Sequence, residues 1–473
     1  MNRREFLASA VGLTAAILAA GRTSAARASA RIFAKLAIDF ERPGRTVTPG
    51  FIGLSYESSQ LANGRFLDPE SGPLLGLMRG LGGGGVIRIG GNDSERSLWA
   101  GVANPTPVPG RFVITPAAID RLAAFVRATG WRLIYGLNLA QGTPEQAAAE
   151  AAYVAQAVGP RLLAFQIGNE PDGFGRWEGQ RPKDYDVGAY LEEWERFFRA
   201  VRARRPDAPF AGPDVAADTS WITRFAERER GRIVLLTAHY YADGPASSGA
   251  VTIGRLLHSD PRLDRLLVAL QAAGRATDLP IRVAESNSVF GGGKPGISGT
   301  LAEALWGADA MFRIAQAGCD GVNFHGGDNR VYTPLAIRDG GYEARPLYYG
   351  MLLFAQAGRG YLLPARLVAK GVNLTAYAVR GDDDSLRISL INRDLSRAAR
   401  VAIETGRPFG RASVLRLAAP SIESRAEVTL GGTAVDGHGT WSPGNEQTVR
   451  PSGRAVLVEV PAASAAALQL SSS

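Results

Sequence analysis

Leu162-Leu163-Ala164-Phe165-Gln166-Ile167-Gly168 is a nearly unbroken apolar run that stops at Asn169-Glu170-Pro171. A run this short, closed by glycine and proline, reads as a strand buried on both faces, as parallel sheets require. The acid at its end stands out, because a carboxylate is costly to set against an apolar core without a purpose. The same grammar recurs on either side of this segment. Candidate strands lie at Phe51–Tyr56, Val86–Gly90, Arg132–Asn138, Ala208–Gly212, Ile233–Tyr240, Ile281–Glu285 and Gly321–His325. Helical patterns fill the intervals. Thr115-Pro116 opens one, with Ile119, Leu122, Phe125 and Val126 on a single face. Thr143-Pro144-Glu145-Gln146 reads as a capping box, with proline at the first helical position. Val187–Val201 repeats Tyr190, Leu191, Trp194, Phe197 and Phe198 at helical spacing. Thr300-Leu301-Ala302-Glu303 reads as a second capping box, and Gly318 follows where a C-terminal glycine belongs. Strands and helices in strict alternation predict a closed (β/α)₈ barrel, the α/β class known as the TIM barrel; an open doubly wound sheet is the competing arrangement.

Beyond about residue 345 the pattern changes. Val372–Arg380, Ser385–Asn392, Ser413–Leu417 and Arg454–Val460 alternate apolar with polar residues and are separated by Gly, Pro, Asp and Asn, the pattern of an antiparallel β-sandwich. Lys35–Phe40, ahead of the barrel, is expected to add a strand to it. The expected organisation is therefore an N-terminal strand at 31–45, a catalytic barrel at 46–343 and a C-terminal sandwich at 344–473. Residues 1–30 stand apart. Asn2-Arg3-Arg4-Glu5-Phe6-Leu7 precedes an apolar run from Val11 to Ala20, followed by Ala-x-Ala at Ala26-Arg27-Ala28 and Ala28-Ser29-Ala30. This reads as a twin-arginine export signal, which places the mature protein in the periplasm or outside the cell with no membrane anchor.

The formal charge is +8, carried almost wholly by arginine. An arginine-rich surface suits acidic polymers, or else reflects the composition of the genome. No basic stripe interleaved with aromatics is present, so nucleic acid is not an expected partner. The single cysteine, Cys319, forms no intrachain disulfide and reads as a small buried residue. The four histidines (His239, His258, His325, His438) make no zinc-type pair. Gly80-Leu81-Gly82-Gly83-Gly84-Gly85 leads into a strand instead of following one, so it reads as a turn and not as a dinucleotide loop. Gly291–Gly293 with Lys294 lacks the hydroxyl residue of a phosphate loop, and a G-x-S-x-G serine elbow is absent from the sequence.

What remains is a pair of acids. Barrel enzymes carry their chemistry at the C-terminal ends of strands. Glu170 ends the fourth candidate strand and Glu285 the seventh, in Ile281-Arg282-Val283-Ala284-Glu285-Ser286. Glycosidic cleavage needs two carboxyls flanking one bond, one protonated and one ionised. Strands on opposite sides of a barrel bring such side chains together across its mouth. The bland alternatives are a helix cap for Glu170 and a salt bridge for Glu285.

Gly53-Leu54-Ser55-Tyr56-Glu57, Arg88-Ile89-Gly90-Gly91-Asn92, Gly168-Asn169-Glu170-Pro171, His239-Tyr240-Tyr241, Glu285-Ser286-Asn287-Ser288 and Gly291-Gly292-Gly293 occur in that order. Together they resemble glycoside hydrolase family 79, the β-glucuronidase and heparanase family of retaining barrel glycosidases. The resemblance implies Glu170 as acid/base, Glu285 as nucleophile, Asn169 on the sugar 2-hydroxyl and Tyr241 on the nucleophile. It implies a uronate carboxylate held by backbone amides of Gly291 and Gly292 and by a tyrosine, for which Tyr332 is the candidate. The loop tyrosine expected before the glycines is Phe290 here, which points to a substituted uronic acid such as a methyl ether. Glu57 and Asn92 are candidates for sugar hydroxyls, and Arg88 for keeping Glu285 ionised. The implied activity is an exo-acting β-glucuronidase working by double displacement on a uronic-acid glycoside or glycan, with no metal and no organic cofactor. The alternatives are an endo-acting, heparanase-like hydrolase and a non-catalytic carbohydrate-binding barrel.

Overall fold

The computed structural model describes residues 31–101, 108–327, 330–338 and 341–472; the export-signal reading falls outside them. Eight parallel strands close into a barrel: β1 (Ile52–Glu57), β2 (Val86–Gly90), β3 (Arg132–Leu137), β4 (Leu162–Ile167), β5 (Phe210–Val215), β6 (Leu235–Asp243), β7 (Ile281–Val289) and β8 (Gly321–Gly326). Each pairs with its neighbours in sequence, and β8 returns to β1, so the sheet has no edge. All of these strands except β3, β4 and β6 are buried along their whole length, which explains their unbroken apolar character.

The outer ring consists of α1 (Gly72–Gly80), α2 (Pro116–Thr129), α3 (Pro144–Val158), α4 (Val187–Arg204), α5 (Ser220–Glu229), α6 (Pro261–Thr277), α7 (Leu301–Gln316) and α8 (Pro346–Ala357). Local chemistry starts most of them. The Thr115 hydroxyl accepts the Ala118 amide, and Thr143 and Gln146 exchange the two bonds of a capping box. At α7 the expected box does not form. Thr300 donates its hydroxyl to Ile297 O at 2.6 Å, and the Glu303 carboxylate accepts the Gly299 amide at 2.7 Å and the Ser288 hydroxyl. Tertiary partners on β7 and its following loop outcompete the local cap.

Two sheets form the second layer. One runs Ala365–Val368, Arg31–Ile38, Ala398–Glu404, Ala455–Val460; the larger is built around Leu374–Arg380, Leu386–Asn392, Ser464–Ser471 and Arg411–Ala418. Their inner faces meet over a core that includes Leu36, Ile388, Val401, Val414, Val458 and Leu468. The N-terminal strand joins this sandwich, but runs parallel to Ala398–Glu404 in an otherwise antiparallel arrangement. Two domain limits move. Thr46–Val47 pairs with Gly360–Leu363 of the large sheet and so belongs to the sandwich. Helix α8 completes the barrel ring, stacking Phe354 on Phe51 and Phe312, so the sandwich proper begins at Gly360 and not at 344.

The two domains share a buried polar joint. Asp309, on α7, accepts hydrogen bonds from Thr375 and Tyr377, each at 2.6 Å, and pairs with Arg393 at 2.8 Å. Removing one partner of such a joint leaves a buried charge uncompensated, at a cost of about 3–5 kcal/mol. Asp309→Ala is therefore expected to lower unfolding stability by about that amount, read as a shifted denaturant midpoint. An unchanged midpoint would show the joint to be energetically idle.

Candidate active site

Glu170 and Glu285 meet at the barrel mouth. One carboxylate oxygen of each, together with a ring nitrogen of His239, lies within 4.8 Å of the others. Glu170 follows β4 in a left-handed conformation (φ 50°, ψ 48°), held by its amide to Asp214 O at 3.0 Å and by Gly173 N to its own carbonyl at 2.8 Å. Glu285 lies within β7 and is almost fully buried.

Their surroundings differ in kind. Glu285 Oε2 accepts Arg88 Nη1 at 2.6 Å and its Oε1 accepts the Tyr241 hydroxyl at 2.7 Å. Burial alone would raise its pKa, but the fields of His325, His239 and Arg88 and the Tyr241 hydrogen bond outweigh it, holding Glu285 well below the usual carboxylate range. Glu170 contacts only His239 Nδ1, at 2.8 Å. Burial lifts its pKa, His239 opposes the lift, and the charges of Glu285 and Asp172 add to it, so Glu170 stands above the usual value. His239 also reaches Asp214 Oδ2 at 3.1 Å. Burial would depress this imidazole, yet Asp214 and Glu285 reverse the effect and raise it to about 10 despite Arg88. At neutral pH the mouth thus holds an ionised Glu285, a protonatable Glu170 and an imidazolium between Glu170 and Asp214.

Asn169 is fixed on both sides. Its carbonyl oxygen accepts Arg88 Nη2 at 2.8 Å, its amide nitrogen donates to Asn92 at 2.8 Å, and its backbone N–H is held by Glu95 at 2.6 Å. Across the mouth, Gly291, Gly292 and Gly293 all have φ between 85° and 94°, which side chains disfavour. Val331 N binds Gly292 O at 2.9 Å, tying this loop to the segment that carries Tyr332. The Tyr332 ring stands 6.2 Å from that of Tyr241, and its hydroxyl accepts Arg330 Nη1 at 3.3 Å. Among the described residues, the amides of Gly291 and Gly292 have no partner, which leaves two donors in the loop packed against the Tyr332 segment.

The profile of the glycosyl hydrolase family 79 C-terminal beta domain matches residues 376–467, the heart of the sandwich. Through that domain the chain is similar to glycosyl hydrolase family 79. Family relatives align over most of its length. A β-glucuronidase of Neurospora crassa is 26% identical over 421 residues, covering 76% of this chain and 74% of that one. A heparanase of Mus musculus is 24% identical over 378 residues, covering 66% and 68%. Among solved structures, a 4-O-α-L-rhamnosyl-β-D-glucuronidase of Fusarium oxysporum superposes with a TM-score of 0.78 at 20% identity, over 92% of this chain and all of that one. A family 51 arabinofuranosidase of Xanthomonas axonopodis superposes with 0.70 at 18% identity, over 93% and 99%; both likenesses show the shared fold.

Glu57 is buried rather than open to the cleft: its oxygens meet the Asp93 amide at 2.9 Å, Arg330 at 3.2 Å and His325 at 3.4 Å. Asn92 reaches the site through Asn169. Phe290 is 42% exposed, 6.4 Å ring to ring from Tyr241. Sequence reading left Asp214, Gln166, Glu95 and Arg330 out of the site and gave His239 no role. Asp214 ends β5 as Glu170 ends β4, so the same strand-end signal applied to it; the expected fifth strand stopped two residues short, at Gly212. Glu95 is a buried carboxylate pushed up to about 7 by burial against the pull of the loop amides it accepts. Glu170, His239 and Glu285 are the one grouping of metal-ligand type among the described residues. A protonated imidazole has no lone pair to give, and Arg88 already neutralises Glu285, so the donor set as charged does not suit a cation.

Tyr241→Phe keeps the ring and removes only the hydrogen bond to Glu285. A bond to a charged acceptor contributes about 1.5–3 kcal/mol, so kcat/KM is expected to fall about 10- to 100-fold. Because that bond depresses the Glu285 pKa, the acid limb of kcat/KM should move to higher pH. An acid limb that stays put would remove Tyr241 from the control of Glu285.

Proposed function

We propose that this chain is a retaining exo-β-glucuronidase that releases glucuronic acid, free or methylated at O4, by double displacement. The observation that carries the reading is the pair of carboxyls within 4.8 Å of each other, one held ionised and one lifted toward protonation. Retaining enzymes space these groups about 5–5.5 Å apart, whereas inverting ones need about 6.5–9.5 Å to admit a water.

In the first step Glu170 gives its proton to the departing glycosidic oxygen while Glu285 attacks the anomeric carbon, forming a glycosyl ester and freeing the aglycone. Loss of that proton leaves Glu170 anionic beside the His239 imidazolium, which stabilises it as general base. In the second step Glu170 takes a proton from water, the water oxygen attacks the anomeric carbon, and the ester bond to Glu285 breaks. In this reading Asn169, locked by Arg88 and Asn92, takes the 2-hydroxyl. Gly291, Gly292 and Tyr332 take the uronate carboxylate, and Phe290 offers an apolar surface that suits an ether methyl group. The names of the Neurospora and Fusarium relatives both concern glucuronides, which supports this substrate class. Export through a twin-arginine leader at residues 1–30 belongs to the same proposal.

Proton NMR of the first-formed sugar should show the β anomer; an α product would reject retention. Glu285→Gln should abolish turnover. Glu170→Ala should spare the first step for aryl glycosides with good leaving groups and slow the second. A panel of aryl β-glucuronide, its 4-O-methyl ether, β-glucoside, β-xyloside and β-galacturonide should favour the first two. Oligomers in place of monosaccharide from a polymeric uronan would point instead to endo action.

A further inference from the structure

Arg330 is a cation beside the hydroxyl of Tyr332, whose ring stands 6.2 Å from that of Tyr241, and the proposed chemistry does not use it. Its backbone is pinned on both sides: its N–H to Gly327 O at 2.9 Å, and its carbonyl to Thr333 N at 3.0 Å and Arg345 Nη1 at 3.2 Å. Its guanidinium gives one hydrogen bond to the Tyr332 hydroxyl at 3.3 Å and one to Glu57 Oε1 at 3.2 Å. A guanidinium carries five N–H donors, so others remain. The side chain is 30% exposed, against 6% for Glu57, so it is the accessible member of that pair. The next residue, Val331, is the one bound to Gly292 O, and a Cβ on Gly293 would meet Tyr332 N at 2.8 Å. The segment that carries Arg330 and Tyr332 is therefore packed directly against the glycine loop.

Charge counting gives this segment a purpose. Around the reacting centre, Arg88 and the His239 imidazolium balance Glu285 and Asp214. A substrate carboxylate entering that pocket adds a negative charge beside the ionised nucleophile, and Arg330, next to Tyr332 and paired with Glu57, still has N–H donors left to answer it. Desolvation works against its charge, but Tyr332 and Glu57 keep it fully protonated. Guanidinium suits a carboxylate in both geometry and charge.

We propose that Arg330 is a specificity-determining residue whose guanidinium, anchored by Glu57 and Tyr332, binds the carboxylate of a uronic acid in concert with the Gly291 and Gly292 amides. This rests on the uronide reading of the site and adds its charged element. It also accounts for the tolerance of Phe290, since a cation supplies more attraction than the hydroxyl that position lacks. The bland alternative is that Arg330 only neutralises buried Glu57.

The test compares competitive inhibition by D-glucuronic acid and by its uncharged amide, for the unsubstituted enzyme, Arg330→Gln and Arg330→Lys. The unsubstituted enzyme should bind the acid more tightly than the amide. Arg330→Gln should weaken the acid about 10- to 100-fold and leave the amide within about 3-fold, while Arg330→Lys retains part of the preference. Raised salt should erode acid binding less in Arg330→Gln than in the unsubstituted enzyme. Equal weakening of both inhibitors, or of neither, overturns the proposal. An unsubstituted enzyme that does not prefer the acid would overturn the uronide reading itself, so the two failures are distinguishable.

Discussion

The five N–H groups of one buried arginine hold the mouth of this barrel together. Arg88 donates from Nε to Gln166 at 2.8 Å, from Nη1 to Ser55 at 3.1 Å and Glu285 at 2.6 Å, and from Nη2 to Asn169 at 2.8 Å and Asp214 at 2.5 Å. From β2 it thereby reaches β1, β4, β5, β7 and the residue just before the acid/base. A guanidinium so deeply desolvated is sustained only when every donor is satisfied and its charge is matched. The rest of the mouth is arranged to meet that condition. Gln166 turns its own amide to Asp214 Oδ1 and Thr237, so the network closes on itself.

The division of labour between the two glutamates follows from where that charge falls. Both are surrounded by protein, and burial pushes both toward neutrality. The fields of His325, His239 and Arg88 fall on Glu285, and Arg88 and Tyr241 touch it and not Glu170; together they separate the two pKa values. Glu170 is left with a single partner, His239, whose positive charge is shared with Asp214. That arrangement lets Glu170 hold a proton before the reaction and lose it without being stranded afterwards. Two chemically identical side chains are driven to opposite protonation preferences by their neighbours.

Much of this was legible in the chain. Short, nearly continuous apolar runs marked all eight barrel strands, because parallel strands buried on both faces leave no polar alternation to confuse them. Capping at Thr115 and Thr143 was read correctly because it is local. The same pattern at Thr300 misled, because the Ser288 hydroxyl on β7 and the Gly299 amide just ahead of the helix take the Glu303 carboxylate instead. Thr46–Val47 and α8 changed sides for a similar reason: a two-residue strand and a boundary helix carry too little pattern to declare which core they join. Asp214 was hidden by Pro213, which looked like the end of a strand. Arg330 was hidden by company, since one arginine among so many sends no signal.

The sequence by itself determined the barrel, the sandwich behind it and the two acids that face each other, since buried periodicity and strand-end carboxylates are properties of short segments. It could not say which acid would be ionised, why His239 is charged, or that Arg330 meets Glu57 and Tyr332. Those facts depend on contacts between residues as far apart in the chain as Arg88 and Glu285 or Glu57 and Arg330. A charge acts through distance in space, and only the closed barrel brings these charges within reach of one another.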